Sequence, residues 1–279
     1  MNVLWRDRRG RLIPIKAVVL PLLFVPGVLA AFWWATGQLG GRPVTEVIHQ
    51  TGLWTVRLAM ISLAITPARA VFDWPKLLLV RRMVGVAAMA YGLSHLSLYI
   101  VDQNFHLLTV VSEIVRRFYL TIGFIALVGL SVLGATSTDA AMRRLGKRWK
   151  TLHRTLYAIA VLAIWHYAIQ SKAIVSEAVM VAGFFVWLMV WRLVPQRWQK
   201  SLVTLILLGV FASVATAWIE FGWYAATTGI NPWRVLYANE NIRFGLRPAH
   251  WVAVVGAGVV LVALVERLRR TALRPVPAR

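Results

Sequence analysis

Cysteine is absent from this chain of 279 residues. That excludes disulfides, cysteine-ligated iron–sulfur clusters, cysteine-containing zinc sites and the covalent attachment of c-type haem. Charge is scarce at 15% of residues, and it is one-sided, with 10 acidic side chains against 31 lysines and arginines. No glycine-rich dinucleotide fingerprint follows a strand, and no polar stretch is long enough to fold as a separate flavin or nicotinamide domain. Hydrophobic residues fill the chain instead, at 59%, with a mean hydropathy of +0.67. Such a chain cannot present a soluble surface and belongs in a bilayer.

The formal charge of +21 invites comparison with nucleic-acid binders. The basic residues, however, stand in short runs between apolar segments and form no amphipathic face, so nucleic acid is excluded as a partner and membrane lipid is the expected surroundings. A window matched to a hydrocarbon core of about 30 Å finds eight candidate helices. They run at about 14 to 36, 46 to 66, 82 to 101, 115 to 134, 154 to 171, 173 to 194, 202 to 220 and 249 to 267. The first is too long for a signal peptide and lacks a small-residue cleavage site, which makes it a retained helix.

Orientation follows from the distribution of lysine and arginine. One side carries 23 of the 31, among them Arg6, Arg8, Arg9, Arg11 and Lys16 at the N-terminus and Arg267, Arg269, Arg270, Arg274 and Arg279 at the C-terminus. The other side has seven, and Arg57 falls inside a helix. By the positive-inside rule both termini are cytoplasmic, as an even helix count requires. The expected fold is an all-α polytopic helix bundle of about eight transmembrane helices.

Histidine in hydrocarbon is costly without a partner, and His95, His153 and His166 lie in or at the edge of the apolar spans. The third helix runs outward from Arg82, and His95 follows thirteen residues later, about 20 Å higher at 1.5 Å per residue. The fifth helix also runs outward, from His153 to His166, again thirteen residues on. His95 and His166 therefore share a level in the outer half of the membrane, the arrangement of two axial ligands to one non-covalent haem iron. For any single histidine, a hydrogen bond to a neighbouring helix is an equal explanation, and a haem-free transporter or scaffold is the corresponding alternative function. Thirteen residues also turn a helix about 140° from alignment, so His153 and His166 need not face one partner. His49, at the outer end of the second helix, is a weaker candidate. Arg57 is a candidate for a haem propionate or quinone oxygen, with snorkelling or pairing to an acid as the alternative.

Several spaced motifs resemble one family. Ser137-Thr138, Leu145-Gly146-Lys147-Arg148-Trp149, Leu152-His153, Tyr157 and His166-Tyr167 form its longest block. With them stand His49 before Thr51-Gly52, Ile65-Thr66-Pro67, Arg81-Arg82 with Gly85, and His95 followed by Tyr99. Over about residues 10 to 195 the chain resembles the MsrQ (YedZ) family, the haem-binding membrane subunits of a periplasmic protein-methionine-sulfoxide reductase system, within the ferric-reductase-like transmembrane superfamily.

The resemblance implies a six-helix haem-binding domain over residues 1–200 and an extension over 201–279 with two further spans. It implies electron transfer from the quinone pool or a cytosolic flavin reductase, across the bacterial inner membrane, to the periplasmic molybdopterin enzyme MsrP for repair of oxidised proteins. The implied cofactors are b haem, one or two, and FMN. Carried over by position, His95, His153 and His166 are the haem-linked histidines, with His153 the candidate ligand of a second haem. In related oxidases the inner position of the third helix is a histidine, whereas here Arg82 lies near it and is a candidate only on that ground. A stand-alone ferric reductase or oxidase is the rival within redox proteins, and the missing flavin and nicotinamide domain argues against it.

Overall fold

The computed structural model describes residue 5, residues 10 to 172 and residues 174 to 272. Arg6, Arg8, Arg9, Arg274 and Arg279 of the charge count, and residue 173 at the start of the sixth predicted span, lie outside the described residues. The protein is an all-helical integral membrane bundle, and among the described residues seven helices are long and apolar enough to cross a membrane. The chain divides into two compact units, one of residues 1–65 and 76–170, the other of 66–75 and 171–279.

In the first unit, α1 (Pro14–Ala35) begins with proline at its first turn, where no amide is needed. Pro21 and Pro26 lie inside it. A neighbouring side chain repairs the ladder nearby: the Tyr91 hydroxyl accepts from the Gly27 amide at 2.9 Å and donates to the Leu23 carbonyl at 2.9 Å. α2 (Pro43–Val71) and α3 (Leu78–Asp102) follow, with α3 preceded by a 3-10 turn over Pro75–Leu77. Ser62 on α2 donates to the Arg81 carbonyl of α3. The interior of this unit is built from Leu63, Val84, Ala88, Ile122, Ala126, Leu130, Ile159 and Ala160.

Two helices that hydropathy does not separate complete the outer corner. α4 (Leu107–Arg116) is short and amphipathic, and α5 (Phe118–Ala135) starts after the extended residue Arg117, at φ −101° and ψ 105°. The predicted fourth span, which begins at 115, therefore contains the end of one helix and the start of another. Thr121 explains the break: its hydroxyl donates to the Ile114 carbonyl at 2.6 Å, satisfying an end of α4 from within α5.

Two short helices precede the predicted fifth span. α6 (Asp139–Leu145) is capped by the Thr138 hydroxyl, which accepts from the Ala141 amide at 3.1 Å. Gly146, at φ +52°, turns the chain into α7 (Lys147–Arg154). After Thr155 comes α8 (Leu156–Gln170), whose 15 residues reach about 22 Å at 1.5 Å per residue, short of a full span. The predicted helix at 154 to 171 is thus α8, two residues later at its start and one residue earlier at its end.

The second unit holds α9 (Ser176–Leu193), α10 (Leu202–Thr227), α11 (Pro232–Glu240) and α12 (Pro248–Ala272). Gly209 of α10 and Gly256 of α12 let these helices touch backbone to backbone, since a β-carbon on Gly256 would lie 3.3 Å from the Gly209 Cα. Around them Trp187, Trp191, Leu205, Leu208, Ala212 and Val252 form an apolar core. A fully buried carboxylate, Glu220, is held by Arg247 at 2.6 Å and by the Asn239 amide at 2.8 Å.

Candidate haem site

The site is assembled by two helix pairs that repeat one arrangement. His95 on α3 reaches α2, where its Nδ1 donates to the Ile48 carbonyl at 2.8 Å. His166 on α8 reaches α5, where its Nδ1 donates to the Tyr119 carbonyl at 2.7 Å. A carbonyl only accepts, so each bond places a ring hydrogen on Nδ1, and in the neutral ring Nε2 then keeps its lone pair. A metal-binding histidine is oriented in this way.

Glycine makes both approaches feasible. The fourth residue after Ile48 is Gly52, and the fourth after Tyr119 is Gly123. A β-carbon on Gly52 would stand 3.0 Å from the His95 ring, and one on Gly123 would stand 2.7 Å from His166 Nδ1. Either side chain would push the imidazole away from the carbonyl that orients it.

The two rings come together, with centroids 6.4 Å apart and planes at 80°. Two imidazoles holding one metal through nitrogens at about 2 Å place their centroids about 6 Å apart, so this donor set fits an iron between them. Among the described residues no three histidines or carboxylates gather as a metal site of their own. Two neutral nitrogens suit an iron whose remaining positions are filled by a porphyrin.

His153 lies elsewhere, at the end of α7. Its ring stacks on Trp149 with centroids 3.8 Å apart, its Nδ1 donates to the Trp149 carbonyl at 3.1 Å, and Nε2 meets Ser137 Oγ at 3.3 Å. Trp149 is itself fixed by its indole N–H, which donates to the Thr136 carbonyl at 2.9 Å. Burial pushes the His153 imidazole below its ordinary value and outweighs its hydrogen bonds to the Trp149 and Leu133 carbonyls, with Arg81 adding to the lowering. The neutral ring is the form that ligates metal.

The weaker candidates stand outside the histidine pair. His49 is exposed on α2 although its neighbour Ile48 is buried and serves His95. Arg57 is half-buried, with its guanidinium over the Trp54 ring at 5.2 Å. Arg82 forms an ion pair with Asp139 across the α3–α6 junction and also approaches the sulfur of Met142. Reading the sequence for polar residues in spans finds the histidines but misses Gly123, Tyr119 and Ile48. The one available signal was a glycine inside an apolar helical run.

Comparison with known proteins places the chain in a family. The family described as ferric reductase like transmembrane component matches residues 51–164, a stretch that contains Gly52, His95, Gly123 and His153 and ends two residues before His166. A haem-binding subunit MsrQ of protein-methionine-sulfoxide reductase from Rhodospirillum rubrum is 41% identical over 192 residues, covering 68% of this chain and 90% of that protein. The protein of the same description from Bordetella pertussis is 38% identical over 191 residues, or 65% of this chain and 91% of its own. That from Rhizobium meliloti is 39% identical over 180 residues, 63% and 82% respectively. No solved structure matches.

Proposed function

The chain belongs to the MsrQ family of haem-binding subunits, and from that premise we propose that it carries electrons across the bacterial inner membrane to a periplasmic molybdopterin reductase of the MsrP kind. The partner spends those electrons on methionine sulfoxide in oxidised proteins. The observation that carries the reading is the pair His95 and His166, each held by a backbone carbonyl and seated on a glycine.

Bound between these histidines, b-type haem supplies one-electron redox chemistry. The protein's part is to fix both Nε2 atoms, to exclude water with the packed helices of the first unit, and to hold the site at the level of the outer ends of α2 and α5. A second haem would take His153 as ligand. Electrons are received on the cytoplasmic side from the quinone pool or a cytosolic flavin reductase. There the basic α6–α7 segment, with Arg143, Arg144, Lys147, Arg148 and Lys150, would attract an anionic flavin or lipid headgroups. The extension 201–279 is an appended pair of spans with no cofactor assigned.

A reduced-minus-oxidised absorption spectrum of the purified protein, followed by stopped-flow mixing of the reduced protein with purified MsrP-like partner, tests the reading. A b-type spectrum and reoxidation well above the buffer rate are expected. Absence of the spectrum would sink the haem assignment and leave the scaffold. Reoxidation no faster than buffer, together with rapid reduction of ferric iron or oxygen, would favour the ferric reductase or oxidase.

A further inference from the structure

The contacts of His166 do not stop at the carbonyl of Tyr119. The Tyr119 ring also stacks on the imidazole, with centroids 6.3 Å apart and planes at 24°. Its hydroxyl accepts from Arg117 Nη1 at 3.2 Å. Arg117 Nε pairs with Glu113 on the last turn of α4, and the Arg117 side chain is 52% exposed. Tyr99, one turn outward of His95, lies within electrostatic range of Glu113, Arg117 and Tyr119. A cation is thereby tied, through one tyrosine, to one of the two paired histidines, on the side that the charge count assigns to the outside.

We propose that Arg117, steadied by the Tyr119 hydroxyl, binds a carboxylate of the haem edge at the outer face. The proposal rests on the haem reading of His95 and His166. A porphyrin held between those rings carries propionate carboxylates, which cannot lie in hydrocarbon without a partner and must turn toward the nearer aqueous face. Arg117 meets them there with a planar five-donor fork that can serve a carboxylate while keeping Tyr119. The Thr121 bond to the Ile114 carbonyl fixes the residue between α4 and α5, so the cation is held in place before any ligand arrives. Glu113 keeps the guanidinium neutralised until then and is the group a propionate would displace or share.

The test uses the full-length holoprotein, with Arg117→Gln, Arg117→Lys and, as a control of equal charge on the same side, Arg42→Gln. Arg42 lines an outer cavity with Asp102 and has no part in the histidine contacts. Haem transfer to excess apomyoglobin, the reduction midpoint and the propionate bands of the resonance Raman spectrum are read for each. Arg117→Gln is expected to release haem about tenfold faster or more, the loss of one charge-assisted hydrogen bond. Its midpoint should fall, because a positive charge that favours the added electron is gone. Arg117→Lys should lie between Gln and wild type and still shift the propionate bands, which keeps the proposal testable if the Gln variant fails to fold. Wild-type release, midpoint and bands in both Arg117 variants would overturn it, as would equal effects in Arg42→Gln. An effect that vanishes in detergent free of anionic lipid would overturn it in favour of a lipid headgroup. A wild-type protein without haem would instead defeat the functional reading, whatever Arg117 does.

Discussion

Gly123 lies under the imidazole of His166 so closely that its two hydrogens are the only substituents the ring tolerates there. A β-carbon at that position would fall 2.7 Å from Nδ1 and 2.8 Å from Cε1. The same relation, slightly looser at 3.0 Å, holds between Gly52 and His95.

Gly123→Ala should therefore weaken haem binding more than Gly52→Ala does. Overpacking of this kind costs about 1–3 kcal/mol, enough for about a tenfold loss of haem affinity. Haem titration of the two apoproteins checks it. A tighter site in Gly123→Ala than in Gly52→Ala would contradict the glycine-floor explanation.

His95→Ala and His166→Ala should each abolish the outer haem, because an iron held by two imidazoles loses an axial bond in either variant. The readout is haem content and the low-spin spectrum. A normal spectrum with full haem content in either variant would refute the pairing.

His153→Ala should slow reduction from the cytoplasmic side while leaving the outer haem in place, since its ring belongs to the Trp149 and Ser137 contacts rather than to His95 or His166. Comparing donor-driven reduction with the oxidised spectrum separates the two effects. An outer-haem defect equal to that of His166→Ala, with normal reduction kinetics, counts against this role.

Glu220→Gln should destabilise the second unit. Glu220 is fully buried and Arg247 is 23% exposed, so the variant leaves a largely desolvated guanidinium without its counter-charge. Breaking a buried pair costs about 3–5 kcal/mol, and the partial exposure of Arg247 puts the expectation at the lower end. Thermal unfolding measures it, and an unchanged midpoint would show that the Asn239 and Gln amides can replace the charge.

Asp73 predicts an acid limit. Its carboxyl is held below the ordinary 3.8, first by the hydrogen bond from Arg270 and then by the charge of Lys200. A depressed value means that the contribution is present above the unfolded value and is lost as pH falls through the folded one. Asp73→Asn should therefore lower the melting temperature at neutral pH and flatten its fall below about pH 4. An identical acid profile in the variant would remove Asp73 from the account.

Periodicity and hydropathy were enough to place all eight spans near observed helices, the fourth on Phe118–Ala135 and the fifth on Leu156–Gln170. The starts of two spans fall two to three residues early, at 115 against Phe118 and at 154 against Leu156, where hydropathy runs on but the backbone turns. In both places a side chain takes a carbonyl that a continuing helix would have used: Thr121 bonds Ile114, and Thr155 bonds Leu152 at 2.7 Å. Hydropathy averages over about nineteen residues and is blind to such bonds.

The linear chain alone determined that this protein lives in a bilayer, because so few charges cannot cover a soluble surface. It also led to the expectation that His95 and His166 share a depth, each standing thirteen residues from a cytoplasmic start, although the break at Thr155 interrupts the second of those rises. Depth is an axial coordinate, and facing is not. Which way each ring turns, which carbonyl it binds, and why glycine must lie beneath it depend on how α2 packs on α3 and α5 on α8. The imidazole and the backbone carbonyl that meet there are 47 residues apart in each pair. Only the tertiary structure could bring Ile48 to His95 and Tyr119 to His166.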